Sequence, residues 1–246
     1  TWVDRFGVWL SAARIRAWDQ RTAGRPDLYM ANSRYTADRV RELDGREARV
    51  VPPPVRVKPF LEAGRRTAPG DWFLTVQRLE SYKRVDIIVE ACRRLGLPLK
   101  VAGRGPERER LQAMAGPQVE FLGWVPEERL PDLVAGCRAF LFSAEEDFGI
   151  APVEAQAAGR PVIAYAAGGC LETVLPGRTG FLFEAQESSS LMAALEEFRD
   201  LRFDPEECRA HARKYSSARF REKILAVAGD LLARGTGILP SAGPQS

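Results

Sequence analysis

From Phe73 onward, short apolar runs rich in β-branched and aromatic residues alternate with stretches whose apolar positions recur every three or four residues. The runs predict strands at 72–77 (WFLTVQ), 98–103 (PLKVAG), 119–123 (VEFLG), 139–143 (AFLFS), 161–165 (PVIAY) and 180–183 (GFLF). Between the first two, Val85, Ile88, Val89, Cys92 and Leu95 fall on one helical face, and Gly96 follows as a stop signal. Further helices are expected over 106–115, 127–136, 149–158 and 188–200, then a polar helical stretch from about 205 to 234. Strand and helix in alternation predict an α/β fold: a Rossmann-like doubly wound parallel sheet with helices on its faces.

The first 70 residues follow another pattern. Helical material runs to about Arg21, a short strand is expected at 28–33 (LYMANS), and the helix TADRVREL is introduced by Ser33 or Thr36 as N-cap. One strand and two helices cannot close a doubly wound domain. Pro52, Pro53 and Pro54 lack amide donors and favour an extended chain, which places an interdomain boundary there. The expected units are 1–51, a linker at 52–70, a main domain at 71–215, a C-terminal helix at 216–234 and a disordered Gly/Pro/Ser-rich tail at 235–246.

Composition narrows the chemistry. The 36 Lys and Arg against 33 Asp and Glu are spread along the chain, so no clustered basic footprint points to nucleic acid. Cys92, Cys137, Cys170 and Cys208 lie far apart without a C-x-x-C pair, against a disulfide framework or structural zinc. His211 is the single histidine and lies in a polar helical stretch, where a surface or packing role is expected. No apolar run reaches the roughly 18 residues that span a bilayer, and the N-terminus lacks signal-peptide regions. A cytoplasmic protein is the expectation.

In a doubly wound sheet, ligands bind beyond the carboxyl ends of the strands. After the first strand, Arg78 and Lys83 are spaced to converge on one anion, although a solvated surface pair reads as well. After the second, Gly103 and Gly105 permit close backbone approach, and Pro106 suits the first position of a helix whose amides would face phosphate. The dinucleotide fingerprint G-x-G-x-x-G fails at Arg108, and no P-loop occurs. After the fourth strand, Glu146 and Glu154 are spaced to accept hydrogen bonds from paired sugar or ribose hydroxyls. The acids of that loop equally suit a helix N-terminus, with Asp147 as its cap. Glu172, after Gly168 and Gly169, reads as a helix-start acid.

The runs RLESYKR, VAGRGP, FLGWVP, EEDFGIAPVEAQAAGRPVIA, GGCLETV and G-x-T-G-F-L-F, in this order over about 72–183, strongly resemble the donor-binding half of retaining glycosyltransferases of the GT-B fold, family 4. The resemblance implies that Arg78 and Lys83 clamp a diphosphate, that Gly103 is a close-approach position, and that backbone around Val125 holds the base. It further implies that Phe148, Gly149 and Ile150 line the sugar and phosphate, that Glu146 holds sugar hydroxyls, and that Glu154 accepts from the ribose diol. Some of the wording is similar to bacterial mannosyltransferases and favours GDP-mannose over a UDP-sugar.

The implied activity is metal-independent transfer of a hexose, with retention, to a hydroxyl of a glycan or lipid-linked acceptor. No cofactor or metal site is implied, and no D-x-D is present. Residues 1–51 would be a remnant of the acceptor domain, without its Gly-rich loop, so this chain alone is expected to bind donor but not to transfer it. Trp2, Phe6, Trp9, Leu10 and Trp18 would be left partly exposed, favouring self-association. Peripheral association with the inner membrane face is expected of such enzymes. The rival readings are a nucleotide-sugar-binding module and a GT-B sugar-nucleotide epimerase.

Overall fold

The computed structural model describes residues 2–235, with side chains described over 11–233. The chain forms two units, Thr1–Val51 and Pro52–Ser246. The first contains α1 (Trp2–Thr22), β1 (Tyr29–Ala31), α2 (Arg34–Asp44) and β2 (Ala48–Val50). Ser33 caps α2 by accepting from the Thr36 amide, and Gly45 ends it in the left-handed conformation. The strand β2, parallel to β1, adds to the single strand expected here. Its three residues, Ala-Arg-Val, are too short a run to show alternation.

The second unit is a six-stranded parallel sheet with the order β5-β4-β3-β6-β7-β8. Its strands are β3 (Phe73–Val76), β4 (Leu99–Ala102), β5 (Val119–Gly123), β6 (Ala139–Phe142), β7 (Val162–Tyr165) and β8 (Gly180–Phe183), all within the runs read from the sequence. The helices are α3 (Val57–Arg66), α4 (Val85–Leu95), α5 (Arg108–Met114), α6 (Leu130–Gly136), α7 (Ile150–Ala157), α8 (Cys170–Thr173), α9 (Ser188–Phe198), α10 (Pro205–Ala212) and α11 (Ser217–Gly235).

Strand alternation divides the core between the two faces of the sheet. Leu74, Phe140, Phe142, Val162 and Ala164 face one way, into a core with Phe60 of α3, Val134 of α6 and Val153 of α7. Phe73, Leu141 and Ile163 face the other way, against Ile88 and Val89 of α4 and Leu191 and Leu195 of α9. Both faces are covered, which is why the strands read as near-continuous apolar runs.

Three expectations change. Within the stretch read as linker, Val57–Arg66 form a helix that buries Val57, Phe60 and Ala63, so only the prolines and their neighbours run extended. The α5 helix begins at Arg108, after a turn containing Pro106. The amides of Glu107 and Arg108 donate within the protein, to Leu79 and Gly105 carbonyls, rather than facing outward. Gly149, without a side-chain cap, occupies the N-cap of α7, not Asp147.

Ile15 and Trp18 of α1 are exposed, whereas Trp2, Phe6, Trp9 and Leu10 lie outside the described side chains. The tail expected to be disordered lies, from residue 236, outside the described residues. Among the described residues no helix is long and apolar enough to cross a membrane. All four cysteines are free and buried, and burial pushes each thiol up to about 12.

Arg160 ties the sheet to its helices. Its side chain, 5% exposed, donates from Nε to the Ala135 carbonyl at 2.7 Å and from Nη2 to the Thr67 carbonyl at 2.8 Å. It thereby joins the approach to β7 with α6 and the C-terminal end of α3. Arg160→Ala is expected to destabilise the protein by about 3 kcal/mol, since it leaves the buried Ala135 carbonyl and the partly buried Thr67 carbonyl without their charged donor. Urea denaturation checks this; a change below about 0.5 kcal/mol would show that the tie contributes nothing.

Candidate donor site

The strand order reverses between β3 and β6: β4 and β5 continue outward from β3, while β7 and β8 continue outward from β6. The loops leaving these two neighbours therefore diverge and open a crevice at their carboxyl ends. Arg78 and Lys83 are carried by the β3 loop and Glu146 by the β6 loop. The fold thus brings together residues that lie more than sixty positions apart.

Beside this crevice lies a hollow of about 590 Å³, lined by Gln77, Arg78, Gly103, Arg104, Trp124 and Val125 among others. Gly103 adopts φ 140°, and a Cβ there would overlap the Gln77 carbonyl oxygen. Only glycine lets the β4 loop lie this close to the end of β3. Trp124 is 61% exposed at the rim, with the Arg104 guanidinium 5.9 Å from its ring centroid. Arg78 is largely exposed and pairs with Glu80 at 2.9 Å.

Lys83 and Glu146 form an ion pair, both side chains mostly withdrawn from solvent. Burial and the nearby Arg78 guanidinium push the Lys83 ammonium down, while the adjoining carboxylate favours its charged form. Arg78 is therefore an electrostatic neighbour of Lys83. The Lys83 ammonium also lies 4.8 Å from the Tyr82 ring centroid.

The Glu146 backbone is fixed by the β7 loop. Its carbonyl accepts from the Gly169 amide at 2.7 Å, and Gly168, at φ 57°, leaves room that a Cβ would fill. Phe148 is buried, with its ring edge-on to Tyr215 at 5.3 Å, and Gly149 is buried beside it. Ile150 opens α7 and is 47% exposed. Glu172 lies in the first turn of α8.

Glu154 is half-buried on α7, and its carboxyl is pushed up to about 7, first by burial. The Arg56 guanidinium acts against that rise and the Glu127 carboxylate adds to it. Arg56 and Glu127 pair at 3.1 Å, and Glu127 lines the hollow. Glu154 thus belongs electrostatically to the group around the hollow without lining it.

The hollow itself takes in Arg78, Gly103 and Val125; Lys83 lies after β3, Glu146, Phe148 and Gly149 lie on the loop after β6, and Ile150 opens α7. Sequence reasoning missed Gln77, Arg104, Trp124 and Glu127. Trp124 stood out as an aromatic within a polar loop and could have been found; Arg56, 98 positions from Glu154, carried no signal. His211 is buried, with Nδ1 2.8 Å from Gln156 Oε1, and burial lowers it to about 4, in keeping with a packing role.

Residues 65–215 match the family described as glycosyl transferases group 1. A D-inositol 3-phosphate glycosyltransferase of Streptomyces avermitilis is 30% identical over 207 residues, which cover 71% of this chain and 44% of that protein. A GDP-mannose-dependent α-(1-6)-phosphatidylinositol monomannoside mannosyltransferase of Mycolicibacterium smegmatis is 31% identical over 208 residues, covering 73% and 54%. The chain spans about half the length of these relatives. The fold is similar to sucrose-phosphate synthase from Thermosynechococcus elongatus, with TM-score 0.74, 22% identity and coverage of 89% and 62%. It is also similar to Anabaena HepE in complex with UDP and glucose, with TM-score 0.69, 22% identity and coverage of 82% and 62%. The β3/β6 reversal thus lies in a domain of the GT-B fold, and the chain belongs to the group 1 glycosyl transferases.

Proposed function

We propose that this domain binds a nucleotide diphosphate hexose across the crevice, GDP-mannose ahead of a UDP-sugar, and that the whole protein transfers the hexose with retention to a glycan or lipid-linked hydroxyl. The observation that carries the reading is the convergence of Arg78, Lys83 and Glu146 at the strand-order reversal, next to a hollow large enough for a nucleoside. The base would enter the hollow at Val125, beside Trp124. The ribose diol would reach Glu154, and the diphosphate would lie between Arg78 and Lys83.

The Lys83–Glu146 pair suggests how the site changes on binding. An arriving diphosphate competes for the ammonium and frees the carboxylate to accept sugar hydroxyls, with Phe148, Gly149 and Ile150 around the ring. As the glycosidic bond breaks, negative charge grows on the departing diphosphate, where Arg78 and Lys83 stabilise it without a divalent ion. The mannosyltransferase relative favours GDP-mannose, and HepE, solved with UDP, keeps a UDP-sugar as the second reading.

We further infer that the 246 residues bind donor without turning it over, since acceptor and donor must be held together for transfer and the chain spans about half the length of its relatives. Peripheral membrane attachment and self-association through α1 belong to the same reading of the whole protein, with Ile15 and Trp18 in support of the latter.

Three outcomes are expected. Arg78→Ala and Lys83→Ala each weaken GDP-mannose or UDP-glucose by about 10- to 100-fold in calorimetry, with or without chelator. Unchanged affinity in both, or strict dependence on a divalent ion, would refute the clamp. Glu146→Gln weakens the sugar nucleotide while sparing the free nucleoside diphosphate, whereas Glu154→Gln weakens both by similar factors. Equal effects of both variants on both ligands would contradict the division of roles.

The third outcome is a pH dependence. With Glu154 near 7, only its ionised form accepts from both ribose hydroxyls, so sugar-nucleotide affinity rises about tenfold from pH 6 to pH 8. The same shift affects stability with the opposite sign. A carboxyl raised on folding contributes most below its unfolded value and loses that contribution as pH climbs through about 7. Glu154→Gln flattens both profiles; a wild-type affinity independent of pH over this range would exclude an ionised Glu154 at the ribose.

A further inference from the structure

Lys83 ends a 3₁₀ turn, Ser81–Lys83, and the next residue, Arg84, adopts φ 52° and ψ 38°. It is the one non-glycine residue with positive φ among the described residues. A long β-carbon-bearing side chain there opposes the steric preference of the backbone, so surrounding contacts must hold it. Those contacts come from two other loops. The Ser143 hydroxyl, fully buried at the end of β6, lies 3.0 Å from the Lys83 carbonyl and 2.7 Å from the Arg84 carbonyl, a bifurcated donation to consecutive peptides. Gln186, beyond β8, donates from Nε2 to the Ser143 carbonyl at 2.9 Å and accepts from Arg84 Nη1 at 3.3 Å. Arg84 Nε reaches Asp86 Oδ1 at 3.3 Å.

Gln186 therefore closes a ring. It joins the side chain of the strained residue to the backbone of the serine that holds the same residue's carbonyl. Lys83 is the last residue before the strained peptide, and its own carbonyl is inside the ring.

We infer that Ser143, Gln186 and Arg84 form a latch that sets the direction of Lys83 toward the diphosphate. They are positioning residues that act through the lysine and not on the ligand. The inference rests on the donor-site reading for its ligand but not for its geometry. If the latch acts through Lys83, loosening it costs affinity only while Lys83 is present. A role confined to folding would cost affinity, or nothing, irrespective of the residue at position 83.

Arg84→Gly separates stability from positioning. Glycine accepts the left-handed conformation freely, so the variant should melt no lower than wild type while losing its tie to Gln186. Gln186→Leu removes the tie from the other side. In the full 246-residue chain, each variant is expected to weaken binding of GDP-mannose and UDP-glucose by about 5- to 10-fold, and by less than about twofold in a Lys83→Ala background.

The same lysine can be observed without nucleotide. After reductive ¹³C-methylation, the Lys83 methyl resonance, assigned by its loss in Lys83→Ala, should titrate at a shifted pH in Arg84→Gly and Gln186→Leu. Additive losses in the Lys83→Ala background, wild-type affinity of both variants, or an unmoved titration would each overturn the latch. A wild-type chain that binds neither sugar nucleotide would refute the donor site, while the titration would still decide the latch.

Discussion

The reversal of strand order between β3 and β6 is the constraint on which the site depends. Two parallel neighbours whose outgoing chains turn to opposite sides leave an opening that no crossover fills. In this protein those outgoing chains carry two cations on one side and a carboxylate on the other. Burial of both sheet faces fixes the strands, and the fixed strands deliver Lys83 to Glu146. Small residues then allow neighbouring loops to close in: Gly103 beneath the β3 loop and Gly168 against the Glu146 carbonyl.

Electrostatics gives the site its character. Lys83 is withdrawn from water and pairs with Glu146, while the second cation, Arg78, stays largely exposed and pairs with Glu80. Glu154 is the converse case, a carboxyl whose burial outweighs its cationic neighbour and lifts it toward neutrality. Two glutamates eight positions apart thus have different surroundings: Glu146 faces the Lys83 ammonium, whereas burial on α7 dominates at Glu154.

Much of this was legible from the residues. The six strands of the main sheet followed from apolar runs because both faces are buried, and the capping of α2 followed from Ser33. What escaped lacked local pattern. Strand β2 is three residues long, and α3 follows three prolines closely enough to pass for linker, although its Val57, Phe60 and Ala63 repeat at helical spacing. The N-terminal boundary of α5 escaped because Pro106 suits a helix start, yet the Glu107 amide is taken by the β3 loop at Leu79 and the Arg108 amide by Gly105. In the site, the positions of Arg78, Lys83, Glu146 and Glu154 were named from spacing and resemblance. The Arg56–Glu127 pair beside Glu154 and the Ser143–Gln186 ring behind Lys83 are products of tertiary placement and have no signature in sequence.

The central claim is that one ligand spans the crevice from the hollow at Val125 to the Lys83–Glu146 pair. Amide chemical-shift mapping of the ¹⁵N-labelled chain during titration with GDP-mannose and UDP-glucose tests it most directly. Saturable shifts confined to the loops after β3, β4, β5, β6 and β7, including Arg78, Gly103, Val125 and Gly149, are the predicted result. Shifts centred elsewhere, for instance around His211 and α10, or no saturable shifts with either sugar nucleotide, would contradict the account.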